Sequence, residues 1–251
     1  MKHRIFMIGL VMLLLLGCGG AAMNSDAVAP SAIPASSDEA NEVTIYLVRH
    51  GETEYNVAGL LQGWCDSPLT ESGVADAKAL GRGLSEIPFV RAYSSDSGRA
   101  ITTATYALGT RAGSMEVIQR DDLREMHYGT LEATPNADAW NSMRYANGFT
   151  DVGGENNEDV QKRMIAALTE IAKAQEATGT GGNILVVSHG LAIQKAVSEM
   201  DHRAFDRFVR AGGSLENCCV TILIWNGESF RVKTVGSTEF RDNGRNLDDK
   251  E

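Results

Sequence analysis

The sequence predicts an α/β domain in which helices cover both faces of a mostly parallel central sheet, a three-layer sandwich. Short apolar segments alternate with longer segments whose apolar residues recur at three- and four-residue steps, as in strands alternating with amphipathic helices. The segment 183–188 is apolar through its middle, which is typical of a central strand buried on both faces. A chain of 251 residues that is 43% apolar is long enough for one such domain.

The strands and helices follow one another in a regular order. Strands are expected at 44–48, 89–93, 115–119 and 183–188, and helices at about 70–87, 96–108, 157–174 and 191–200. Thr70 and Asp96 are expected to cap the first two helices. The segments Val220–Trp225 and 230–235 are expected to close the sheet as an antiparallel hairpin, because Asn-Gly between them is a strong turn signal.

The remaining segments set the domain limits. Residues 131–154 fit no periodic pattern and are interpreted as a small insertion or cap after the third strand, with a helix around 137–144. Residues 19–42 are rich in Ala, Ser, Asp and Pro and predict a flexible tether. The folded domain is therefore expected at 43–238, followed by a polar, frayed tail at 239–251.

The N-terminal sequence is typical of a targeting segment. Three basic residues precede an apolar run of 12 residues at 5–16, shorter than the roughly 20 that cross a bilayer. The run ends in Leu-Leu-Gly-Cys, which resembles a bacterial lipobox. Residues 1–18 are thus predicted to be a lipoprotein signal peptide, with lipid on Cys18 anchoring the mature protein in the cell envelope, on the periplasmic or extracellular side. The alternative is an ordinary signal peptide with a chance cysteine.

Charge and cysteine content exclude some functions. The net charge of −10 argues against nucleic-acid binding, which usually needs a basic face.

Cys218 and Cys219 are neighbours on an expected strand and point to opposite faces. Either Cys65 forms a disulfide with one of them or all three are free thiols. The spacing supports no metal site, and no cofactor is expected.

Reactive side chains follow four of the expected strands. Ligands of open parallel sheets bind beyond the carboxyl ends of the strands, so these residues are expected to share one rim. In chain order they are Arg49 and His50, Arg99, Arg124 and Glu125, and His189.

Five motifs follow one another along the chain, and four of them contain these residues. They are Arg49-His50-Gly51-Glu52-Thr53 with Asn56 and Gly63 to Thr70, Ser94-Ser95-Asp96 with Arg99, Leu123 to Gly129, Gly153-Gly154-Glu155, and Ser188-His189-Gly190. The motifs and their order resemble the histidine phosphatase superfamily, to which the phosphoglycerate mutases also belong. The resemblance covers nearly all of the expected domain and implies a small phosphorylated substrate.

The resemblance also implies roles for the site residues. His50 is the expected nucleophile, forming a phosphohistidine, and Glu125 is the expected general acid for the leaving group. Arg49, Arg99 and His189 are expected to hold the phosphoryl oxygens, with His189 counted among the catalytic residues, and Asn56, Gln62 and Gly63 to bind phosphate or substrate. The two arginines disfavour imidazolium, which should keep His50 neutral near pH 7. Arg124 is expected to be structural.

Three functions remain open. The segment between Gly129 and Gly153 is only about two dozen residues, whereas the mutases carry a long ordered insertion there. This favours a phosphomonoester hydrolase, in which water accepts the phosphoryl group, over a phosphoglycerate mutase-type phosphotransferase. An exported protein also has little access to cytosolic intermediates. The third possibility, a catalytically silent binding lipoprotein, is disfavoured by the complete set of reactive residues.

Overall fold

A computed structural model describes residues 42–136 and 147–248. The strands are β1 Val43–Arg49, β2 Phe89–Ser95, β3 Val117–Arg120, β4 Gly182–Ser188, β5 Val220–Trp225 and β6 Phe230–Ser237. The helices are α1 Glu54–Ala58, α2 Glu71–Gly83, α3 Gly98–Leu108, α4 Asn157–Glu176, α5 Gly190–Met200, α6 His202–Arg210 and α7 Glu239–Asp248. Short 3-10 turns lie at Gly109–Gly113, Asp121–Leu123, Gly129–Leu131 and Thr150–Val152.

The six strands form one sheet in the order β3-β2-β4-β1-β5-β6. The first four are parallel to one another, whereas β5 runs antiparallel to β1 and β6 antiparallel to β5. The predicted fold class and the closing hairpin are therefore confirmed. In the β1–β4 register Arg49 pairs with Ser188, so the next residues of the two strands, His50 and His189, emerge side by side.

Two apolar layers cover the sheet, one on each face. Side chains of β4 alternate between them: Ile184 and Val186 pack with α4 and α5, while Leu185 and Val187 pack with α2 and α3. All four are fully buried, as predicted for a central strand. Burying each such side chain stabilises the fold by roughly 1.5–3 kcal/mol, so the sheet is a rigid support for the rim at its carboxyl edge.

Residues 239–248 form helix α7 and are not frayed, which corrects the prediction for this part of the tail. Helix α7 packs against α2 at a distance that only glycine allows. A Cβ on Gly244 would lie 1.8 Å from the carbonyl oxygen of Ala79, and one on Gly83 would lie 1.8 Å from that of Phe240. Because the contact is made by backbone and not by an apolar stripe, hydrophobic periodicity does not reveal it.

Other boundaries differ in detail. Thr70 caps α2 as predicted, accepting a hydrogen bond from the Gly73 amide. The predicted Asp96 cap is wrong: Ser97 is the cap residue of α3, and Asp96 forms an ion pair with Arg124 instead. The short helices α1 and α6 were not predicted.

Several predictions fall elsewhere in the chain. The signal peptide at 1–18, all but the last residue of the tether at 19–42 and the cap helix at 137–144 lie outside the described residues. Within the described ranges, no helix is long and apolar enough to span a bilayer. Cys65, Cys218 and Cys219 are free thiols, which decides between the two alternatives for these three cysteines.

Candidate active site

His50 and His189 form the floor of the site. Each follows a central strand, and their ring centroids lie 5.2 Å apart. Both rings are almost completely buried. The His50 backbone is fixed on both sides, because its amide donates to the Ser188 carbonyl at 3.0 Å and its carbonyl accepts from Asn217 Nδ2 at 2.9 Å. Parallel pairing of β1 and β4 is thus what brings the two imidazoles together.

One ring nitrogen of His50 has a defined role. Nδ1 lies 2.8 Å from the carbonyl oxygen of Gly51. A carbonyl oxygen can only accept a hydrogen bond, so Nδ1 carries the hydrogen and Nε2 of the neutral ring keeps its lone pair. Gly51 is itself held by Thr103, whose Oγ1 accepts from the Gly51 amide at 2.9 Å and donates to the Arg99 carbonyl at 2.7 Å. The local structure therefore selects the tautomer in which Nε2 is nucleophilic.

Both histidines are held in the neutral form. Burial lowers the pKa of His50 well below its usual value, and the charges of Arg99 and Arg49 lower it further, while the bond to Gly51 opposes this shift. Burial also depresses the pKa of His189, followed by the charge of Arg99. An imidazole that stays neutral near pH 7 can attack an electrophile without first losing a proton.

Each of the two arginines has a buried Nε without a hydrogen-bond partner in the described part of the chain. Arg49 Nη1 donates to the Leu215 carbonyl at 2.5 Å, and the Nη atoms of Arg99 bind the Gly63 carbonyl and Asp66, both at 2.8 Å. Among the described residues, buried Nε of Arg49, buried Nε of Arg99 and both ring nitrogens of His189 have no hydrogen-bond partner. Buried unpaired donors are costly, and an anionic oxygen would satisfy the two guanidinium N–H groups and the single ring N–H of neutral His189 with charge-assisted bonds.

Glu125 is docked on the N-terminus of helix α5. Its Oε1 accepts from the amides of Met126 at 2.9 Å and Ala192 at 2.8 Å, and its Oε2 accepts from the Leu191 amide at 2.9 Å. Because a carboxyl oxygen accepts about two hydrogen bonds, Oε1 is filled and Oε2 keeps one position. A proton carried by this carboxyl would therefore sit on Oε2.

An ion pair between Arg163 and Glu155 holds the segment that carries Glu125. Arg163 of α4 forms an ion pair with Glu155 at 2.8 Å and donates to the carbonyls of Arg124 at 2.6 Å and Glu125 at 2.9 Å. Glu155 also accepts from the His127 amide at 2.8 Å. Glu155 belongs to the Gly153-Gly154-Glu155 motif, whereas Arg163 lies outside all five motifs. Its only sequence signal was a charge facing inward on an amphipathic helix.

Glu132 organises the loop that faces Arg99. Its carboxylate accepts from the amides of Gly63, Trp64 and Cys65 at 3.0, 3.0 and 3.1 Å and from Tyr128 at 2.9 Å. Burial alone would raise the pKa of Glu132, but these hydrogen bonds and one from the Cys65 thiol outweigh it and lower the pKa. The Gly63 amide, expected to bind phosphate or substrate, is thus engaged with Glu132, and Glu132 is a further residue that the sequence did not reveal.

Five of the expected site residues line one cleft of about 560 Å³. Arg49, His50, Asn56, Gln62 and Glu125 line it. Asn56 Oδ1 accepts a hydrogen bond from Asn217 Nδ2. Gln62 accepts a hydrogen bond from Thr53 Oγ1 at 2.7 Å through Oε1 and donates one from Nε2 to Ser67 Oγ at 3.0 Å. His189 lines a separate cavity of about 270 Å³.

Other residues singled out in the sequence have structural contacts. Arg124 forms an ion pair with Asp96 through two guanidinium nitrogens and lies 4.8 Å from the centre of the Trp64 ring, in keeping with its expected structural role. The His127 ring packs against Trp64 at 4.5 Å, and Glu52 accepts from Thr70 Oγ1 at 2.8 Å. No group of three or more His, Cys, Asp or Glu side chains within 42–136 and 147–248 is arranged to hold a metal ion.

Comparison with known proteins agrees with this geometry. A model of the histidine phosphatase superfamily, branch 1, matches residues 45–238. A probable phosphoglycerate mutase of Serratia proteamaculans is 31% identical over 212 residues, covering 79% of this chain and 94% of that protein. The crystal structure of a phosphoglycerate mutase from Bacillus anthracis superposes with a TM-score of 0.74 at 31% identity, over 83% of this chain and 99% of the other.

A phosphatase of the same fold is also similar. Phosphoserine phosphatase from Entamoeba histolytica, solved in complex with 3-phosphoglyceric acid, superposes with a TM-score of 0.65 at 25% identity, over 79% of this chain and 99% of that one. Members of this family act through a phosphohistidine, the intermediate that a neutral, buried His50 suits. The chain belongs to the histidine phosphatase superfamily.

Proposed function

We propose that this protein is a phosphomonoester hydrolase in which Nε2 of His50 accepts the phosphoryl group. The observation that carries the proposal is the bond from His50 Nδ1 to the Gly51 carbonyl, which leaves Nε2 with its lone pair. The unpaired nitrogens of Arg49, Arg99 and His189 are buried, and the charges of both arginines act on both His50 and His189. A nucleophile and a set of anion-binding donors are what phosphoryl transfer requires.

The first step transfers the phosphoryl group to the enzyme. Nε2 of His50 forms a bond to phosphorus as the bond from phosphorus to the ester oxygen breaks. Glu125 gives the proton on Oε2 to the departing oxygen, so an alcohol leaves instead of an alkoxide. The free donors of the two arginines and His189 hold the phosphoryl oxygens, each such bond contributing roughly 1.5–3 kcal/mol.

The second step returns the site to its starting state. Water attacks phosphorus, the bond from phosphorus to Nε2 breaks, and Glu125 takes the proton of the attacking water. Inorganic phosphate then leaves, and His50 is again neutral. The backbone amides on Glu125 hold its carboxyl in one place for both proton transfers.

The choice of water as acceptor is supported by the short segment between Gly129 and Gly153. A phosphotransferase must exclude water from the phosphohistidine until a second hydroxyl arrives, and a longer enclosure serves that purpose. Because similar proteins include both a mutase and a phosphatase, the two activities need a direct comparison. Hydrolysis predicts that 3-phosphoglycerate releases phosphate faster than it isomerises; the reverse ratio would reject it.

The His50 mechanism is tested by substitution. Purified protein should hydrolyse 4-nitrophenyl phosphate in EDTA, and His50→Ala should abolish this activity. His202→Ala is the matched control, since the His202 side chain is 76% exposed and lies outside the site. Activity that survives in His50→Ala would contradict the mechanism.

We also propose that the protein is exported to the bacterial cell envelope and anchored by lipid on Cys18. The lipobox-like Leu-Leu-Gly-Cys and the preceding apolar run support this. In cells fed radiolabelled palmitate, the protein should take up label and sediment with membranes. Cys18→Ser should prevent both, whereas Cys65→Ser should prevent neither. Unchanged labelling of Cys18→Ser would contradict the anchor.

A further inference from the structure

We infer that the substrate carries a second anionic group, which binds Lys195, on an apolar ring-sized body that attaches it to the phosphate. The inference rests on the proposed hydrolysis of a phosphomonoester at His50 and adds the substrate class.

Lys195 lies on the wall of the cleft that contains His50 and Glu125. It is on helix α5, four residues after Leu191, whose amide donates to Glu125 Oε2 at 2.9 Å. Residues four apart share a helix face, and one turn rises about 5.4 Å. Lys195 therefore lies one turn along the same face of α5 from the residue whose amide holds the general acid.

The ammonium of Lys195 is a half-buried cation without a counter-charge. Across the described ranges, no carboxylate lies within ion-pairing distance of it; neither Glu199, one turn further along α5, nor Glu125 in the same cleft is paired with it. Burial lowers the pKa of Lys195, as expected for a charge with reduced hydration and no partner. In a protein of net charge −10, a lysine left unpaired inside the cleft favours an anion supplied by the ligand.

One part of the wall around Lys195 is apolar. Leu191, Phe205, Phe208 and Leu215 line the same cleft, and the two phenylalanine rings of α6 have centroids 6.1 Å apart. Aromatic side chains of this kind bind apolar or planar groups through contact area and ring packing. The ligand that fits both features has a phosphate at one end, an apolar ring in the middle and an anion at the far end.

The experiment compares two esters that differ only at the far end of the ring. 4-Carboxyphenyl phosphate carries the second anion, and 4-methylphenyl phosphate has a neutral group in its place. Wild-type protein should hydrolyse the carboxy ester with a kcat/KM about 10- to 100-fold higher, the range expected for one charge-assisted contact. Lys195→Met should remove that preference through KM, leaving hydrolysis of the methyl ester intact, and Lys195→Arg should retain it.

Two further variants make the result specific. Lys162→Met removes a lysine that is 68% exposed and pairs with Glu158 on α4, and it should leave the preference unchanged. Lys195→Glu should reverse the preference, favouring 4-(aminomethyl)phenyl phosphate over the carboxy ester. Full hydrolysis of the methyl ester shows that each variant is folded.

The outcomes separate this inference from the proposed function. If wild-type protein hydrolyses both esters and Lys195→Met leaves their ratio unchanged, the role of Lys195 is overturned while the phosphatase mechanism stands. If wild-type protein hydrolyses none of the esters, the proposed function itself fails.

Discussion

Nη2 of Arg163 lies 2.9 Å from the carbonyl oxygen of Glu125, so helix α4 holds the backbone of the proposed general acid while helix α5 holds its carboxylate. The Arg163 guanidinium is fixed in turn by Glu155, and both side chains are only 19% exposed. Two helices on one face of the sheet thus determine where a proton is delivered.

Replacing Arg163 tests this arrangement. Arg163→Met should lower kcat with little change in KM, because the segment carrying Glu125 loses its support while the phosphate donors remain. The free energy of unfolding should fall by about 3 kcal/mol, since Glu155 is left without its partner. Steady-state kinetics and urea denaturation measure both effects. Arg203→Met, on the exposed side of α6, is the control; an unchanged kcat in Arg163→Met would contradict the positioning role.

Replacing Glu125 tests proton delivery. Glu125→Gln keeps the size of the side chain but cannot protonate the leaving group. The rate should therefore fall by about 10²–10⁴-fold for alkyl phosphates. The loss should be much smaller for 4-nitrophenyl phosphate, whose leaving group needs little protonation. An equal loss for both esters would argue against a general acid at this position. Glu86→Gln, at an exposed residue, should change neither rate.

The two buried histidines predict a loss of stability in mild acid. Burial lowers the pKa of His50 and His189 in the folded state, whereas in the unfolded chain both return to about 6.5. Above that pH both states are neutral and stability is independent of these groups. Below it the unfolded chain binds protons that the folded protein does not, so each histidine lowers the free energy of unfolding by up to about 1.4 kcal/mol per pH unit.

Substitution isolates that effect. Between pH 6.5 and 5.5, urea denaturation should show a fall in stability that is about half as large in His189→Gln as in wild-type protein. His202→Gln, at an exposed position, should retain the full fall. The same slope in His189→Gln and wild-type protein would mean that His189 is not held neutral by the fold.

The glycine contact between α7 and α2 predicts a localised loss of stability. Gly244→Ala places a methyl group 1.8 Å from the Ala79 carbonyl oxygen and should lower the free energy of unfolding by about 1–3 kcal/mol. Catalytic activity should persist, because α7 does not line the cleft. Gly113→Ala is the control, since a Cβ there meets nothing within 4 Å. Equal stability of the two variants would contradict close packing of α7.

The sequence predicted the sheet and the rim because both depend on local patterns. Apolar segments mark the strands, and His50 and His189 each follow one directly, so parallel pairing places them together. Arg163 and Glu132 act through backbone groups of distant segments, and no spacing in the chain reveals such contacts. Helix α7 was missed because its contact with α2 depends on Gly83 and Gly244, where the lack of a side chain lets the two backbones approach. Lys195 looked like an ordinary polar position on an amphipathic helix.

The central claim is that Nε2 of His50 becomes phosphorylated during hydrolysis. The protein is mixed with ³²P-labelled ester for a single turnover and quenched rapidly with alkali, because acid would cleave a phosphohistidine. Peptide mapping then locates the phosphoryl group directly. The account predicts an acid-labile, hydroxylamine-sensitive phosphate on the peptide containing His50, absent from His50→Ala and present in His202→Ala. Turnover with no labelled enzyme at any time, or label on a peptide without His50, would contradict it.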